Sequence, residues 1–370
     1  MTPYRIGFVM EQALGHVTHT RNLQAQVARD TSIEAQWALI PQDVHGFAGR
    51  IPVYKSNWTV RAGLRARHAL AGLERVAHPD ALFFHTQVPS VLASDWVRRV
   101  PSVISLDATP RQYDELGLSY GHKTSAAWLE HLKWRLNRDC FAAAQQLVTW
   151  SHWAKRGLVD AYEVPADKIT VIPPGVEVEA WANPDPRRVH DGPVKILFIG
   201  GDLRRKGGAL LLQSFRKLRH LNIELHLVTH EQMREEPGLF VYNNVQPNSV
   251  LLKQLAHNCD IFCLPTYGDC LPMVLSEAGA AGLPLVSTDV AAIPEIVHDG
   301  ENGFVVPVGS TVALTDALRR LIENPELRLQ QGARAAALVR ETFDVQRNAQ
   351  HLLALLKDVA DTARPVRRAA

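Results

Sequence analysis

Cysteine, net charge and long apolar runs are all scarce in this chain, and each scarcity removes a class of answer. The 370 residues hold four cysteines, Cys140, Cys259, Cys263 and Cys270. They are too few and too unevenly spaced for a secreted disulfide framework. No Cys-x-x-Cys pair occurs, and Cys259 and Cys263 flank the strand-like Asp260-Ile-Phe near His257, which reads as core packing and not as metal ligation. Forty Lys and Arg against 38 Asp and Glu leave a formal net charge of +2. That balance gives no support for a polyanion binder, so no nucleic-acid partner is expected. No stretch approaches the ~20 apolar residues that cross a bilayer. The N-terminal MTPYRIGFVMEQ has one basic residue before a short strand-like run, unlike a signal peptide. The expectation is a cytoplasmic protein whose membrane contact, if any, is peripheral. A GxGxxG fingerprint is also missing: the first strand runs into MEQALGHVTH, which speaks against an NAD-dependent oxidoreductase.

What is present is alternation. With 46% hydrophobic and 21% charged residues the composition is that of an ordinary globular protein, and the length favours two domains with a core each. Strand-like runs at Tyr4–Met10, Glu34–Ile40, Ala81–His85, Ser102–Leu106, Gln146–Trp150 and Ile169–Ile172 alternate with helical stretches at His19–Arg29, Val60–Val76 and Lys123–Ala144. This is the pattern of a parallel sheet with crossover helices. The Pro-rich PPGVEVEAWANPDPRRVHDGP then breaks the periodicity and reads as a linker. Alternation restarts at Val194–Gly200 and continues through Ile223–Val228, Phe240–Asn243, Asp260–Leu264 and Pro284–Ser287. The expected organisation is an α/β protein of two doubly wound, Rossmann-like units, residues 1–180 and 194–345, joined by residues 181–193. Residues 346–370 read as a terminal helix packing back on the first unit, ending in a frayed basic tail. Ligands of such sheets sit beyond the carboxyl ends of the strands.

The most informative segment is TYGDCLPMVLSEAGAAGLPL, Thr266–Leu285, directly after the apolar strand IFCLP. Pro272 at a first helical position makes a strand, loop and helix. The helix N-terminus aims unpaired amides at the crevice, a fit for phosphate. The helix Met273–Ala281 is apolar or small except for Glu277. A carboxylate on a buried helix needs partners, and a ribose diol supplies two hydroxyl donors. Asp269, in the loop, would repel a diphosphate, so a ligand role for it means sugar hydroxyls; its bland alternative is a helix cap.

These residues carry a resemblance to the retaining glycosyltransferases of family four, which have the GT-B fold. The family signature is two acids separated by seven residues. Here Asp269, seven residues and Glu277-Ala-Gly-Ala-Ala-Gly-Leu-Pro are followed by Ser287-Thr-Asp-Val-Ala-Ala-Ile-Pro-Glu-Ile-Val297 and Asp299-Gly-Glu-Asn-Gly-Phe304. Asp167-Lys-Ile-Thr-Val-Ile-Pro-Pro-Gly-Val-Glu177, Ile196-Leu-Phe-Ile-Gly-Gly with Lys206-Gly207, and Gly15-His16 are similar to further family segments. The likeness is weakest between residues 30 and 145. Two departures stand out. The first acid, commonly Glu, is Asp269, and the usual Arg after the first strand of the second domain is replaced by Gly200-Gly201, which leaves Arg204 or Arg205 to act beside Lys206.

The resemblance implies transfer of a sugar from a nucleotide-diphosphate donor to an acceptor hydroxyl on a glycan, a lipid-linked glycan or a small molecule, with no cofactor. No Asp-x-Asp sequence occurs, so no metal clamp is expected. Glu277 would hold ribose, Asp269 the donor sugar, and Lys206 with Arg205 or Arg204 the diphosphate, whose growing charge needs stabilising. The implied donor-side set also includes Gly15, Gly201, Val245, Cys270, Leu271 and Met273; His16, His85 and Asp107 form the acceptor side. His85 and Asp107 end the strands ALFFH and SVISLD and should project from the sheet's carboxyl edge. A nucleotide-sugar epimerase of the same architecture, or a binding protein without turnover, would share most of these features.

Overall fold

A computed structural model describes residues 2–13, 15–43, 54, 57–117, 126–185, 187–234 and 236–368, with side chains to residue 362. The chain forms two compact units. One comprises Met1–Glu115, Lys123–Gly175 and Val345–Ala370, the other Val176–Asp344 with Leu116–His122.

The first unit runs β1 (Tyr4–Gln12), α1 (His16–Val27), β2 (Ile33–Pro41), α2 (Trp58–Val76), β3 (Ala81–His85), β4 (Ser102–Leu106), α3 (Ala127–Ala143), β5 (Gln146–Thr149), α4 (His152–Tyr162) and β6 (Ile169–Val171). The six strands are all parallel in the order β2-β1-β3-β4-β5-β6. A parallel sheet is covered on both faces, and the two-residue period of a strand shows how. β1 sends Ile6, Phe8 and Met10 into one apolar cluster and Val9 into the other; β3 divides Ala81 and Phe83 from Leu82 and Phe84 in the same way. One cluster is closed by Leu23 and Val27 of α1 and by Leu352, Leu356 and Val359 of a long C-terminal helix, the other by Ala62, Ala66 and Leu70 of α2.

The second unit runs α5 (Val178–Trp181), β7 (Val194–Ile199), α6 (Gly208–Leu218), β8 (Ile223–Val228), β9 (Leu239–Tyr242), α7 (Val250–Asn258), β10 (Ile261–Leu264), α8 (Met273–Ala280), β11 (Leu285–Thr288), β12 (Gly303–Val306), α9 (Thr311–Glu323) and α10 (Pro325–Thr342); α11 (Val345–Arg368) belongs to the first unit. The sheet is again parallel, in the order β12-β11-β10-β7-β8-β9. Ser151, Ser249, Ser310 and Asn324 each accept a first-turn amide at a helix start, which explains where α4, α7, α9 and α10 begin. Both sheets have a topological switch. β1 lies between β2 and β3, and β7 lies between β8 and β10, so the loops leaving these strands diverge to opposite faces and open a crevice.

Several expectations are corrected. The Pro-rich stretch contains a helix: α5 carries Trp181, 1% exposed, against α8. Arg187 anchors the same stretch, donating to the carbonyls of Ala256, Cys259 and Ala281 where α7 and α8 end. Residues 181–193 are therefore part of the second unit, and the chain leaves the first unit at Gly175. β12 is a strand that the pattern does not suggest. The basic tail stays helical to Arg368, and Pro272 is the N-cap of α8 rather than its first residue. Residues 123–125 of the expected helix at Lys123–Ala144 lie outside the described residues.

Candidate active site

In the second unit the loops after β7 and β10, neighbouring strands at the switch, meet. Gly207 makes this possible. Its φ is +78°, and a Cβ there would fall 1.8 Å from the Pro265 carbonyl oxygen, so only glycine lets the first loop lie on the end of β10. The Arg205 carbonyl then accepts from Tyr267 N at 2.9 Å and from Thr266 Oγ1 at 3.2 Å.

That docking brings two cations to one acid. Asp269 is 7% exposed, and its Oδ1 accepts from Lys206 Nζ at 2.7 Å and Arg205 Nη1 at 3.2 Å, while Oδ2 accepts from Thr266 Oγ1 at 2.8 Å. Arg205 also donates to the Gly268 carbonyl at 2.7 Å. Arg205, and not Arg204, is thus the guanidinium beside Lys206; Arg204 is exposed. The glycines at 200 and 201 have a steric reason. A Cβ on Gly200 would lie 2.8 Å from the Phe198 ring and 3.0 Å from Lys206, and one on Gly201 would lie 2.8 Å from the His230 ring. A long side chain at either place would displace these neighbours.

Glu277 sits on α8, 5% exposed, and its carboxylate has no hydrogen-bond partner among the described residues. Burial pushes its pKa up to about 7, offset in part by the Lys253 charge. Lys253 lies over the Trp181 ring, 5.9 Å from its centroid. No side chain caps α8, and in its first turn the Leu275 amide donates to the Pro272 carbonyl at 3.0 Å. Cys270 and Leu271 are buried in the loop before α8, and Met273 is half-buried at its start. Val245 stands apart from this group. It is half-buried in the loop after β9, two strands away from β7 on the sheet edge. The four cysteines are buried and in no disulfide, and burial raises the thiols of Cys140, Cys259 and Cys263.

In the first unit, Gly15 is exposed and caps α1, with open space where a Cβ would stand, so no protein contact demands glycine there. His16, the first residue of α1, lies with Nδ1 3.0 Å from His85 Nε2. His85 is fully buried; it does not project from the sheet edge but lies under His16, stacked on Trp150 with ring centroids 5.2 Å apart. His19 completes the cluster, 4.7 Å from His85 and 5.0 Å from Trp150 between centroids. Burial and the neighbouring His16 lower His19 to about 3, and burial with both other imidazoles lowers His85. Asp107 is half-buried in the loop after β4 and takes no part in the imidazole cluster.

Thr266, His19 and Trp150 belong to these clusters and were not singled out beforehand. For His19 a signal existed: Gly-His-Val-Thr-His spaces the two histidines three apart, on one helix face. Thr266 and Trp150 had none, since their importance depends on which strand ends adjoin.

Comparison with known proteins follows the same division. The family model for group 1 glycosyl transferases matches residues 193–324, and that for glycosyltransferase family 4 matches residues 18–180. A phosphatidyl-myo-inositol mannosyltransferase of Mycobacterium leprae is 30% identical over 206 residues, 53% of this chain and 55% of the relative. The chain thus spans about half the length of that relative. A glycogen synthase of Mycobacterium tuberculosis is 24% identical over 310 residues, 78% of this chain and 70% of that protein. In fold, the chain is similar to sucrose-phosphate synthase of Thermosynechococcus elongatus, with a TM-score of 0.76, 14% identity, and 97% and 100% of the two chains covered. A second likeness is to Anabaena Alr3699/HepE, solved with UDP and glucose, with a TM-score of 0.69, 16% identity, and 96% and 100% covered.

Proposed function

Because the chain belongs to the glycosyltransferases of group 1 and family 4, we propose that it is a retaining enzyme that moves a sugar from a nucleotide-diphosphate donor to an acceptor hydroxyl. The observation that carries this reading is Glu277, a buried carboxylate without a partner, one short loop away from a fixed pair of cations. A ribose diol satisfies the carboxylate with two hydroxyl donors. Lys206, Arg205 and the positive end of the α8 dipole offer charge to the diphosphate.

In the reaction, the bond from the anomeric carbon to the β-phosphate oxygen breaks, and a bond to the acceptor oxygen forms on the same face. The acceptor proton passes to the departing phosphate oxygen, so no protein base is needed. Lys206 and Arg205 stabilise the charge that develops on the leaving group, the service that a metal clamp provides elsewhere. Asp269 in this reading orients both cations and has one lone-pair direction left for a donor-sugar hydroxyl. The acceptor is a hydroxyl on a glycan, a lipid-linked glycan or a small molecule. No helix among the described residues is long and apolar enough to cross a membrane.

The test is a melting screen with UDP, GDP and ADP. A ligand at 100 times its Kd stabilises the native state by about 2.7 kcal/mol, so one nucleotide should raise Tm clearly. With the matching sugar donor, free nucleotide diphosphate should appear only when acceptor is supplied, in the presence of EDTA, and the product should keep the donor's anomeric configuration. No response to any nucleotide diphosphate would sink the reading, and turnover without acceptor would point to epimerisation or hydrolysis.

A further inference from the structure

Lys253 and Glu277 stand on two helices of the second unit that the segment from Trp181 to Arg187 ties together. Trp181 of α5 is 1% exposed, and α5 packs against α8, the helix of Glu277. The same residue is bound to α7, because His257 Nε2 donates to the Trp181 carbonyl oxygen at 3.0 Å. Asn183 donates to the His257 carbonyl at 3.2 Å, and Arg187 to those of Ala256 and Cys259. The indole is thereby fixed against both helices. Lys253 lies one turn before His257 on the same face of α7, and its Nζ is 5.9 Å from the centre of the Trp181 ring. The face of an indole attracts a cation at that range. Lys253 is half-buried and makes no hydrogen bond or ion pair among the described residues.

Glu277 is turned away from the helix that covers the other side of α8. A Cβ on Gly279 would lie 2.8 Å from the Val339 side chain and 3.6 Å from the Ala335 carbonyl, so Gly279 faces α10. Glu277, two residues earlier, points about 200° away from that direction. The charges of α10 are placed elsewhere: Arg328 donates to the Leu321 and Ile322 carbonyls, Arg340 approaches the exposed Glu179 of α5 at 3.9 Å, and Glu326, Arg334 and Glu341 are exposed. β10 and β11 bring only the buried Cys263 thiol, which burial keeps neutral. Lys206 and Arg205 remain with Asp269 in the loop before α8. The charge that reaches Glu277 is that of Lys253, and it opposes the effect of burial on the carboxyl. An ammonium in contact would occupy the carboxylate oxygens, whereas one at longer range favours their charge and takes no lone pair. We propose that Lys253, seated on Trp181, is a positioning residue that keeps the Glu277 carboxylate charged and unoccupied, ready to accept the hydroxyls of a nucleotide's ribose. The ribose rests on the glycosyltransferase reading; the action of Lys253 on Glu277 does not.

Two measurements on the full chain test this. Carbon-detected titration of glutamate-labelled protein, with Glu277→Gln for assignment, follows the carboxyl with no ligand present. Its midpoint should lie at about 7. Lys253→Met keeps an unbranched stem on the indole and removes the charge. An opposite charge nearby moves a carboxyl by roughly one to three pH units, and at this longer range the midpoint should rise by about one. Lys253→Arg restores the charge and also stacks on an aromatic ring, so it should bring the midpoint back. An unmoved midpoint in Lys253→Met overturns the proposal, and so does an equal rise in Lys253→Arg. The second measurement is the affinity for UDP, GDP and ADP between pH 6 and 9. With the midpoint one unit higher, Lys253→Met should bind nucleotide about tenfold more weakly at pH 6 and nearly as well as the unaltered protein at pH 9. Equal weakening at both ends would make Lys253 a direct ligand contact and overturn the positioning role. If the unaltered protein binds none of the three while the midpoints move as expected, the action of Lys253 stands and the glycosyltransferase reading fails.

Discussion

Glu277→Gln should make the protein more stable in alkaline solution and a poorer binder of nucleotide. Burial raises the Glu277 pKa from its ordinary 4.5 to about 7. The folded state thus holds this proton more tightly than the unfolded chain, so the associated stability is complete below about pH 4.5 and is lost as pH rises through about 7. At about 1.4 kcal/mol per pH unit, the loss approaches about 3 kcal/mol by pH 8. Glutamine cannot ionise, so the variant should lack this slope and exceed the unaltered protein at pH 8, less the cost of burying its amide. Binding should move the other way. The ionised carboxylate accepts charge-assisted bonds from two hydroxyls, each contributing roughly 1.5–3 kcal/mol, and losing one of them weakens affinity about 10–100-fold. Ligand binding should also release a proton at pH 6.5, because hydroxyl donors favour the charged carboxylate. Urea midpoints between pH 5 and 8 and calorimetry in two buffers of different ionisation enthalpy measure both effects. Parallel pH slopes for the two proteins, or binding without proton release, would refute the assignment of an unpartnered carboxylate to this position.

Asp269→Asn should lower both stability and donor affinity, because it leaves two largely buried cations against a neutral amide. Breaking such a pair typically costs about 3–5 kcal/mol, and chemical denaturation together with nucleotide titration would detect it; an unchanged midpoint would mean that Lys206 and Arg205 are held by something else. Gly207→Ala should be more damaging than an ordinary surface change, because its methyl group would stand 1.8 Å from the Pro265 oxygen in a left-handed turn. A fall in Tm with loss of nucleotide binding is expected, and a soluble variant with normal binding would refute the close approach of the two loops.

Much of this architecture was legible because a parallel sheet writes itself plainly: strands buried on both faces are short apolar runs, and eleven such runs stand out between helical stretches. β12 was not legible for a reason specific to it. Gly303 opens the strand after Asp299-Gly-Glu-Asn, a run of turn formers, and the glycine is there because a Cβ would strike the Leu285 carbonyl 1.8 Å away. A residue chosen for close packing therefore looks like punctuation. α5 was hidden in the same way among prolines, and only Trp181 pointed to burial. Glu277 was readable as a lone charge on an apolar helix. The partners of Asp269 were not, because Lys206 and Thr266 meet it across 63 and 3 residues respectively, and the longer separation closes only once β10 pairs with β7.

The two units show how one topology serves two chemistries. In each, the polar residues gather at the switch, after β1 and β3 in one and after β7 and β10 in the other. In the second unit they are an acid and two cations, which hold one another in place and keep positive charge available at the crevice. In the first unit they are imidazoles stacked on Trp150, and burial lowers the pKa of His19 to about 3 and that of His85 as well. A neutral imidazole with a free lone pair at the acceptor hydroxyl would compete with the leaving phosphate for its proton. If a substrate-borne base is right, removing the imidazole at position 16 should impair binding without shifting the pH dependence of kcat. A shifted profile would mark His16 as a base and refute a proton acceptor brought by the substrate.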